Sequence, residues 1–159
     1  MKTEMKRIML VRSTGFPQDW VDEMQAHFPQ VRFVVADDNG PSIHAGLDGL
    51  NALIGCPRPL FTVKLLEVTR QSLQWVHASG AGIEEFLFPE FVRSPVVFTN
   101  GKIIQGPEVS DHAVALLLVL ARGIHYLLRG KGPEPRPRPM ELREKTALVF
   151  GAGGIGILL

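Results

Sequence analysis

Residues 146–156, TALVFGAGGIG, join a short apolar run to a glycine-rich turn. The run TALVF is typical of a buried strand, and the glycines at 151, 153 and 156 follow the order G-x-G-x-x-G. In a strand–turn–helix unit, such a turn holds a pyrophosphate on its backbone N–H groups. The stretch therefore predicts the start of a dinucleotide-binding Rossmann domain.

Glycine-rich turns are common, so the sequence around this one determines whether it indicates a dinucleotide site. A predicted strand precedes it, and the apolar, helix-compatible residues 157–159 follow it. The acidic residue that binds the ribose is expected about 20 residues further on, a position that lies beyond Leu159. The expected cofactor is therefore NAD or NADP, held by an incomplete site, and we expect the chain to be a truncated portion of a longer protein.

Upstream of the turn, strand-like and helix-like segments alternate. Strands are predicted at residues 6–12, 31–36, 51–55, 73–78 and 96–99. Helical spacing of apolar residues appears at 17–28, and residues 62–70 can form a short helix. Residues 37–41 are predicted as a turn, and residues 84–92 have a mixed pattern. Alternation of this kind predicts an α/β fold with a parallel sheet covered on both faces.

A long apolar helix is predicted at residues 107–129, opened by Pro107. Its central part, AVALLLVLA, is apolar on nearly all sides, so burial nearly all round is expected. Gly123 would weaken a helix interior, which predicts a kink or close packing there. The proline-rich residues 130–139 that follow cannot continue a helix and predict an extended linker.

Composition excludes several classes of function. Lys and Arg total 17 against 16 acidic residues, so no nucleic-acid partner is expected. The longest apolar run, residues 113–121, is shorter than the roughly 20 residues that span a membrane. A single cysteine, Cys56, excludes an internal disulfide and favours a reducing cytoplasm. We expect Cys56 to be a small buried residue, with a reactive thiol as the alternative.

Four blocks of sequence match one enzyme family in its order and near its spacings. They are LQWVHASGAGI at 73–83, VFTN at 97–100, VSDHA at 109–113 with residues 116–122, and LREKTALVFGAGGIG at 142–156. Through them the chain resembles the D-isomer-specific 2-hydroxyacid dehydrogenases. The resemblance runs from about residue 5 to residue 159 but covers only about the first half of a typical member. It implies a flavodoxin-like parallel-sheet substrate domain, followed by the first strand and glycine turn of a truncated Rossmann domain.

The resemblance also implies a division of the chain. Residues 1–104 would be the N-terminal part of the substrate domain, and residues 105–130 an interdomain and dimerisation helix. Residues 131–141 would be the linker, and residues 142–159 the start of the NAD(P)-binding domain. A buried core helix is the simpler interpretation of the same apolar residues 107–129.

Two sets of binding residues follow from the resemblance. The turn Ser79, Gly80, Ala81 and Gly82 would present backbone N–H groups to a substrate carboxylate, chiefly those of Ala81 and Gly82. Cofactor binding would fall to Gly151, Gly153, Gly154, Ile155 and Gly156, with Gly154 and Ile155 against the pyrophosphate. A plain strand-to-loop turn is the alternative interpretation of residues 79–82.

Catalytic residues are not expected in this chain. The family uses an Arg, an acidic residue and a His, which the resemblance places downstream of the glycine turn, beyond residue 159. No histidine occupies the catalytic position, among His27, His44, His77, His112 and His125. The sequence shows neither metal-ligand spacing nor a nucleophile elbow. We therefore expect the chain alone to have no turnover.

The implied activity is that of an NAD(P)-dependent oxidoreductase acting on the CH–OH group of small D-2-hydroxy acids, for example of the glyoxylate or hydroxypyruvate type. The alternative is a non-catalytic nucleotide-sensing or regulatory protein on the same fold, paired with a full-length partner. Unpaired strand residues and an apolar helix also predict a homo-oligomer, and exchange of the C-terminal segment is one route to it.

Overall fold

The computed structural model describes residues 5–12, 17–130 and 138–159. The chain divides into two units, Met1–Gly101 and Lys102–Leu159. The first unit contains one sheet, built from β1 (Lys6–Arg12), β2 (Val31–Asp37), β3 (Ala52–Ile54), β4 (Trp75–Ala78) and β5 (Val97–Asn100). All pairings are parallel, and the strand order is β2–β1–β3–β4–β5. This is the flavodoxin-like order, so the predicted fold class is confirmed for this unit.

In the described part of the first unit, four helices accompany the sheet, together with 3₁₀ turns at Arg58–Leu60 and Glu84–Phe86. The helices are α1 (Gln18–His27), α2 (Gly40–Ala45), α3 (Val63–Val68) and α4 (Pro89–Val92). Side-chain caps fix two of the starts: Asn39 accepts from the Ser42 N–H at 2.9 Å, and Thr62 accepts from the Leu65 N–H at 3.3 Å. The Asn39 cap begins α2 inside the segment predicted as a turn, so that turn is shorter than expected.

The core lies on one face of the sheet. Met9, Leu53 and Val76 are in register on adjacent strands and are fully buried. Apolar side chains of α2, α3 and α4 belong to the same cluster, as does a group of phenylalanines in which the Phe61 and Phe91 rings lie 4.8 Å apart. On the opposite face Val97 is 59% exposed, so the predicted two-sided covering is incomplete at this edge of the sheet.

The second unit differs from the prediction of one long helix. It contains α5 (Gly106–Ala121) and α6 (Ile124–Arg129), separated at Gly123, whose φ of 68° is left-handed. The break confirms the expected effect of Gly123, because a left-handed residue cannot continue a right-handed helix. Burial of α5 on all sides was a wrong prediction: Leu120, for example, is 63% exposed. The described part of this unit supplies too little surface to cover the helix.

The predicted strand at residues 146–150 is also absent from the described structure. These residues pair with no neighbouring strand, and Phe150 is 98% exposed. A strand exists only through hydrogen bonds to a partner, and the one sheet of the described chain lies in the other unit. The predicted linker falls largely on residues 131–137, which lie outside the described residues. The four predicted domain ranges stay predictions.

Candidate functional site

The predicted carboxylate-binding turn, residues 79–82, directly follows β4 at the carboxyl edge of the parallel sheet. The segment after β3 and the end of β5 reach the same edge, because parallel strands all end there. Ligands of open α/β sheets bind outside this edge. Ser79, Gly80 and Ala81 are exposed and Gly82 is half-buried. The fold thus places the turn where a ligand can reach it.

Hydrogen bonds from three neighbours hold the carbonyl groups of this turn. The Gly101 N–H donates to the oxygens of Ala78 and Gly80 at 3.0 and 3.1 Å. Asn100 Nδ2 donates to the Ala81 oxygen at 2.7 Å, and Arg58 Nη2 donates to the Gly82 oxygen at 2.9 Å.

The N–H groups of the same turn are free. Among the described residues, the N–H groups of Gly80, Ala81 and Gly82 donate to no acceptor. The carbonyl groups of Gly80, Ala81 and Gly82 are therefore bound while their N–H groups are available, and such a group of free amides suits an anion.

Arg58 brings a positive charge to this edge. Its guanidinium lies 5.9 Å from the centre of the Phe86 ring and 3.7 Å from a Glu85 carboxylate oxygen. The side chain is 37% exposed, so its charge is partly open to solvent. A guanidinium that donates to the Gly82 carbonyl also favours a negative ligand at the adjacent N–H groups.

Glycine is required at some positions of this edge and not at others. A Cβ on Gly101 would collide with the Ser79 carbonyl oxygen, whereas a Cβ on Gly80 would meet nothing within 4 Å. At Gly82 a Cβ would lie 2.6 Å from Arg58 Nη2. Close packing of backbone on backbone at Gly101 therefore shapes the turn, while Gly80 faces open space.

The predicted cofactor turn lies in the second unit, and each of its three motif glycines has its own environment. Gly151 has a φ of 109°, which side chains rarely adopt, and a Cβ on Gly156 would collide with the Gly151 oxygen. Nothing lies within 4 Å of a Cβ placed on Gly153. The first and third glycines are thus required by the turn itself, whereas the second leaves its space open.

Residues 153–158 form the first turn of a helix-like segment. The Ile157 N–H donates to the Gly153 oxygen at 3.1 Å, and the Leu158 N–H donates to the Ile155 oxygen at 3.0 Å. Within the part of the chain that the structure describes, the N–H groups of residues 152–156 donate to no acceptor. A row of free N–H groups at such a turn fits a phosphate.

Ser110 of α5 contacts the predicted cofactor turn. It is 4% exposed, and its hydroxyl lies 2.7 Å from the Gly106 oxygen and 3.1 Å from the Ile155 oxygen. Since the hydroxyl carries one proton, it shares this proton between the two carbonyl groups. The contact fixes the Ile155 carbonyl and leaves the N–H groups of the turn free.

Sequence reasoning did not assign a role at the site to four residues that the structure brings there. These are Arg58, Asn100, Gly101 and Ser110. Asn-Gly at the end of a strand is a recognisable turn signal and could have drawn attention to residues 100 and 101. Arg58 and Ser110 carry no comparable local signal.

Four of the five histidines have a hydrogen-bond partner in the described structure, and three of these partners lie within six positions in the sequence. The Nδ1 atoms lie within hydrogen-bond distance of these groups: His27 of Glu23 O at 2.9 Å, His44 of Gly40 O at 2.6 Å, His77 of Thr99 Oγ1 at 2.9 Å, and His125 of Val119 O at 3.4 Å. Contacts of this kind suit structural roles. The absence of a catalytic histidine stays a prediction.

Other chemistries receive no support from the described residues. No cluster of three or more His, Cys, Asp or Glu side chains in them could bind a metal ion. None of the helices in residues 5–12, 17–130 and 138–159 has the length and apolar character to cross a membrane. Cys56 is 4% exposed, and burial raises the pKa of its thiol to about 12. The thiol therefore stays protonated near neutral pH, as expected for a small buried residue.

Comparison with known proteins gives a likeness in structure. The sequence matches no protein-family model and no curated protein. The fold is similar to that of a 2-hydroxyacid dehydrogenase from Ketogulonicigenium vulgare, with a TM-score of 0.56 and 20% sequence identity. The alignment covers 97% of this chain and 49% of that structure, so the chain spans about half its length. The likeness confirms the fold that the sequence resemblance implies.

Proposed function

We propose that this chain supplies the carboxylate-binding loop and the first part of the cofactor site of an NAD(P)-dependent oxidoreductase for small D-2-hydroxy or 2-keto acids. The observation that carries the proposal is the turn at residues 79–82: the carbonyl groups of Gly80, Ala81 and Gly82 are bound, and their N–H groups donate to no acceptor among the described residues. The fold neighbour is itself a 2-hydroxyacid dehydrogenase, which is consistent with this assignment.

A small carboxylate suits the turn for two reasons. The adjacent N–H groups of Ala81 and Gly82 offer two donors, and a carboxylate has two oxygens that can accept them. Arg58, which donates to the Gly82 oxygen at 2.9 Å, adds a positive charge without occupying those donors, and the Glu85 carboxylate 3.7 Å away balances part of that charge. In the proposed reaction this loop binds the carboxylate end of the substrate and thereby fixes C2 of the acid.

A dinucleotide suits the glycine turn because of the space at its second glycine. In a Rossmann turn the second glycine lets the backbone approach the pyrophosphate, and a Cβ placed on Gly153 would have no atom within 4 Å. The free N–H groups of residues 152–156 would hold the phosphate oxygens. A bound nicotinamide would supply hydride transfer, and this chain's part is to bind and orient.

The carboxylate site is tested by titrating the ¹⁵N-labelled chain with glyoxylate and following its amide signals. We expect saturable shifts at Ala81 and Gly82, because their N–H groups would donate to the added carboxylate. The exposed Gly130 lies in the other unit and serves as an internal control. Unchanged Ala81 and Gly82 signals at millimolar glyoxylate would contradict the proposed function.

The cofactor site is tested by Gly153→Ala, measured by the change in NADH fluorescence on binding. A methyl group at this position meets no atom of the chain, so we expect the fold to be kept and NADH affinity to fall. Equal NADH affinity of variant and wild type would place the cofactor elsewhere. In both proteins we expect no glyoxylate-dependent NADH oxidation, because the resemblance places the catalytic Arg, acidic residue and His downstream of the turn.

Homo-oligomer formation also belongs to this proposal. In the described chain, three leucines of α5 are exposed: Leu116 at 50%, Leu117 at 46% and Leu120 at 63%. Exposed apolar surface of this kind favours association. Light scattering at micromolar concentration measures the mass, and a monomer would count against the oligomer without affecting either binding site.

A further inference from the structure

We propose that Asn100 is a positioning residue that aims the Gly82 N–H at the substrate carboxylate. The proposal rests on the proposed function, since it names the residue that prepares the carboxylate site. Asn100 does not touch the substrate in this proposal. It acts through the peptide bond between Ala81 and Gly82.

Peptide planarity supplies the physical link. In a trans peptide the C=O and the following N–H lie in one plane and point in opposite directions. Asn100 Nδ2 donates to the Ala81 oxygen at 2.7 Å. That bond draws the Ala81 carbonyl toward β5 and therefore turns the Gly82 N–H away from β5, toward the open edge.

The neighbouring peptide is set in the same way by backbone alone. The Gly101 N–H donates to the Gly80 oxygen at 3.1 Å, so the Ala81 N–H points away from Gly101. Residues 100 and 101 thus orient two successive N–H groups to the same side. Two adjacent donors facing one way are what a carboxylate with two oxygens requires.

The series of free donors ends after Gly82. Arg58 Nη2 holds the Gly82 oxygen at 2.9 Å, and the next N–H, that of Ile83, donates to Glu84 Oε2 at 3.0 Å. The Ile83 N–H is therefore taken by the protein. Gly82 is therefore the last free donor of the turn, and it is the one whose direction depends on Asn100.

The position of Asn100 in the sheet fixes its backbone next to the turn. It is the last residue of β5 and is in register with Ala78 of β4, directly before the turn. Its side-chain amide can donate, whereas an aspartate of the same shape only accepts when ionised. Asn100→Asp would therefore set a carboxylate against the Ala81 oxygen and favour rotation of that peptide.

The experiment compares Asn100→Asp and Asn100→Ala with wild type in the full chain, using ¹⁵N relaxation and glyoxylate titration. In the absence of ligand we expect the Gly82 N–H to be ordered in wild type and mobile in both variants. Glyoxylate affinity, read from the Gly82 shift, should fall about threefold to tenfold, the worth of one hydrogen bond. Val97→Ala on the same strand, at a side chain that is 59% exposed, is the control and should change neither readout.

The possible results separate this proposal from the proposed function. If the wild-type amide signals do not shift with glyoxylate, the carboxylate site is rejected. The ¹⁵N relaxation of Gly82 in wild type and variants would still test the role of Asn100. Ordered Gly82 signals in both variants, with wild-type affinity or with only a loss of overall stability, would overturn the role of Asn100. Should Asn100→Asp lose its dispersed spectrum, Asn100→Ala gives the same test, because it removes the donor without adding a charge.

Discussion

The two units of this chain contain similarly apolar segments but bury them to different extents. In the first unit Leu53 of β3 is fully buried between neighbouring strands and the helices of one face. In the second unit Leu120 of α5 is 63% exposed and Phe150 is 98% exposed. The comparison teaches that an apolar pattern determines which side chains can be buried. Actual burial requires partners, and the first unit has them in its own strands and helices.

The largest expected effect follows directly from this difference. Leu53→Ala should lower the free energy of unfolding of the first unit by about 2–5 kcal/mol, because it leaves a cavity in a packed core. At concentrations where light scattering gives a monomer, Leu120→Ala should change stability by no more than about 0.5 kcal/mol, because the side chain is 63% exposed in the single chain. Urea unfolding followed by far-UV circular dichroism measures both.

An additional probe assigns the effect of Leu53→Ala to the correct unit. Both tryptophans, Trp20 and Trp75, lie in the first unit, so their fluorescence reports on that unit alone. A loss of several kcal/mol for Leu120→Ala would show that α5 is covered in solution. The difference in burial between the two units would then hold for the single chain but not for the protein in solution.

The sequence predicts the first unit well because its signals are local and its partners lie within the unit. The alternation of apolar strands with helical spacing gives five strands and the parallel class, and the structure confirms both. In the second unit, the local sequence pattern led to two predictions that the structure does not confirm. Residues 146–150 have a strand-like composition but no neighbouring strand, and the apolar α5 lacks the surface that would bury it.

In the candidate sites, too, local features could be predicted and distant contacts could not. The turns at residues 79–82 and 151–156 carry glycine signals and could be named from the sequence and its resemblance. Their supporting residues are distant in sequence: Arg58 lies 24 positions from Gly82, and Ser110 lies 45 positions from Ile155. No local pattern predicts such contacts, because they exist only once strands and helices have packed.

A smaller effect is expected at a position where backbone packs on backbone. Gly101→Ala should destabilise the first unit by about 1–3 kcal/mol, because its Cβ would collide with the Ser79 carbonyl oxygen. Gly80→Ala is the matched control in the same turn, since a Cβ there has open space. Thermal unfolding of the two variants gives the difference. Equal stability would mean that the turn shifts to accept the methyl group, and the Gly80 and Ala81 amide signals would then move in Gly101→Ala.

The smallest effect concerns the pH dependence of the first unit. Burial raises the pKa of the Cys56 thiol from 9.0 to about 12. The folded state therefore keeps its proton where the unfolded state has lost it, and stability falls as pH rises. This contribution is fully present below pH 9 and is lost progressively between pH 9 and about 12.

The size of this effect follows from the spacing of the two pKa values. At pH 10, one unit above the unfolded pKa, wild type should have lost about 1.4 kcal/mol from this thiol. Cys56→Ala removes the titrating group, so the difference in unfolding free energy between wild type and variant should shrink by that amount between pH 8 and pH 10. Other groups titrate equally in both proteins and cancel in the difference. A constant difference across this range would mean that solvent reaches the thiol, and the first unit would then be less tightly closed around Cys56 than its core suggests.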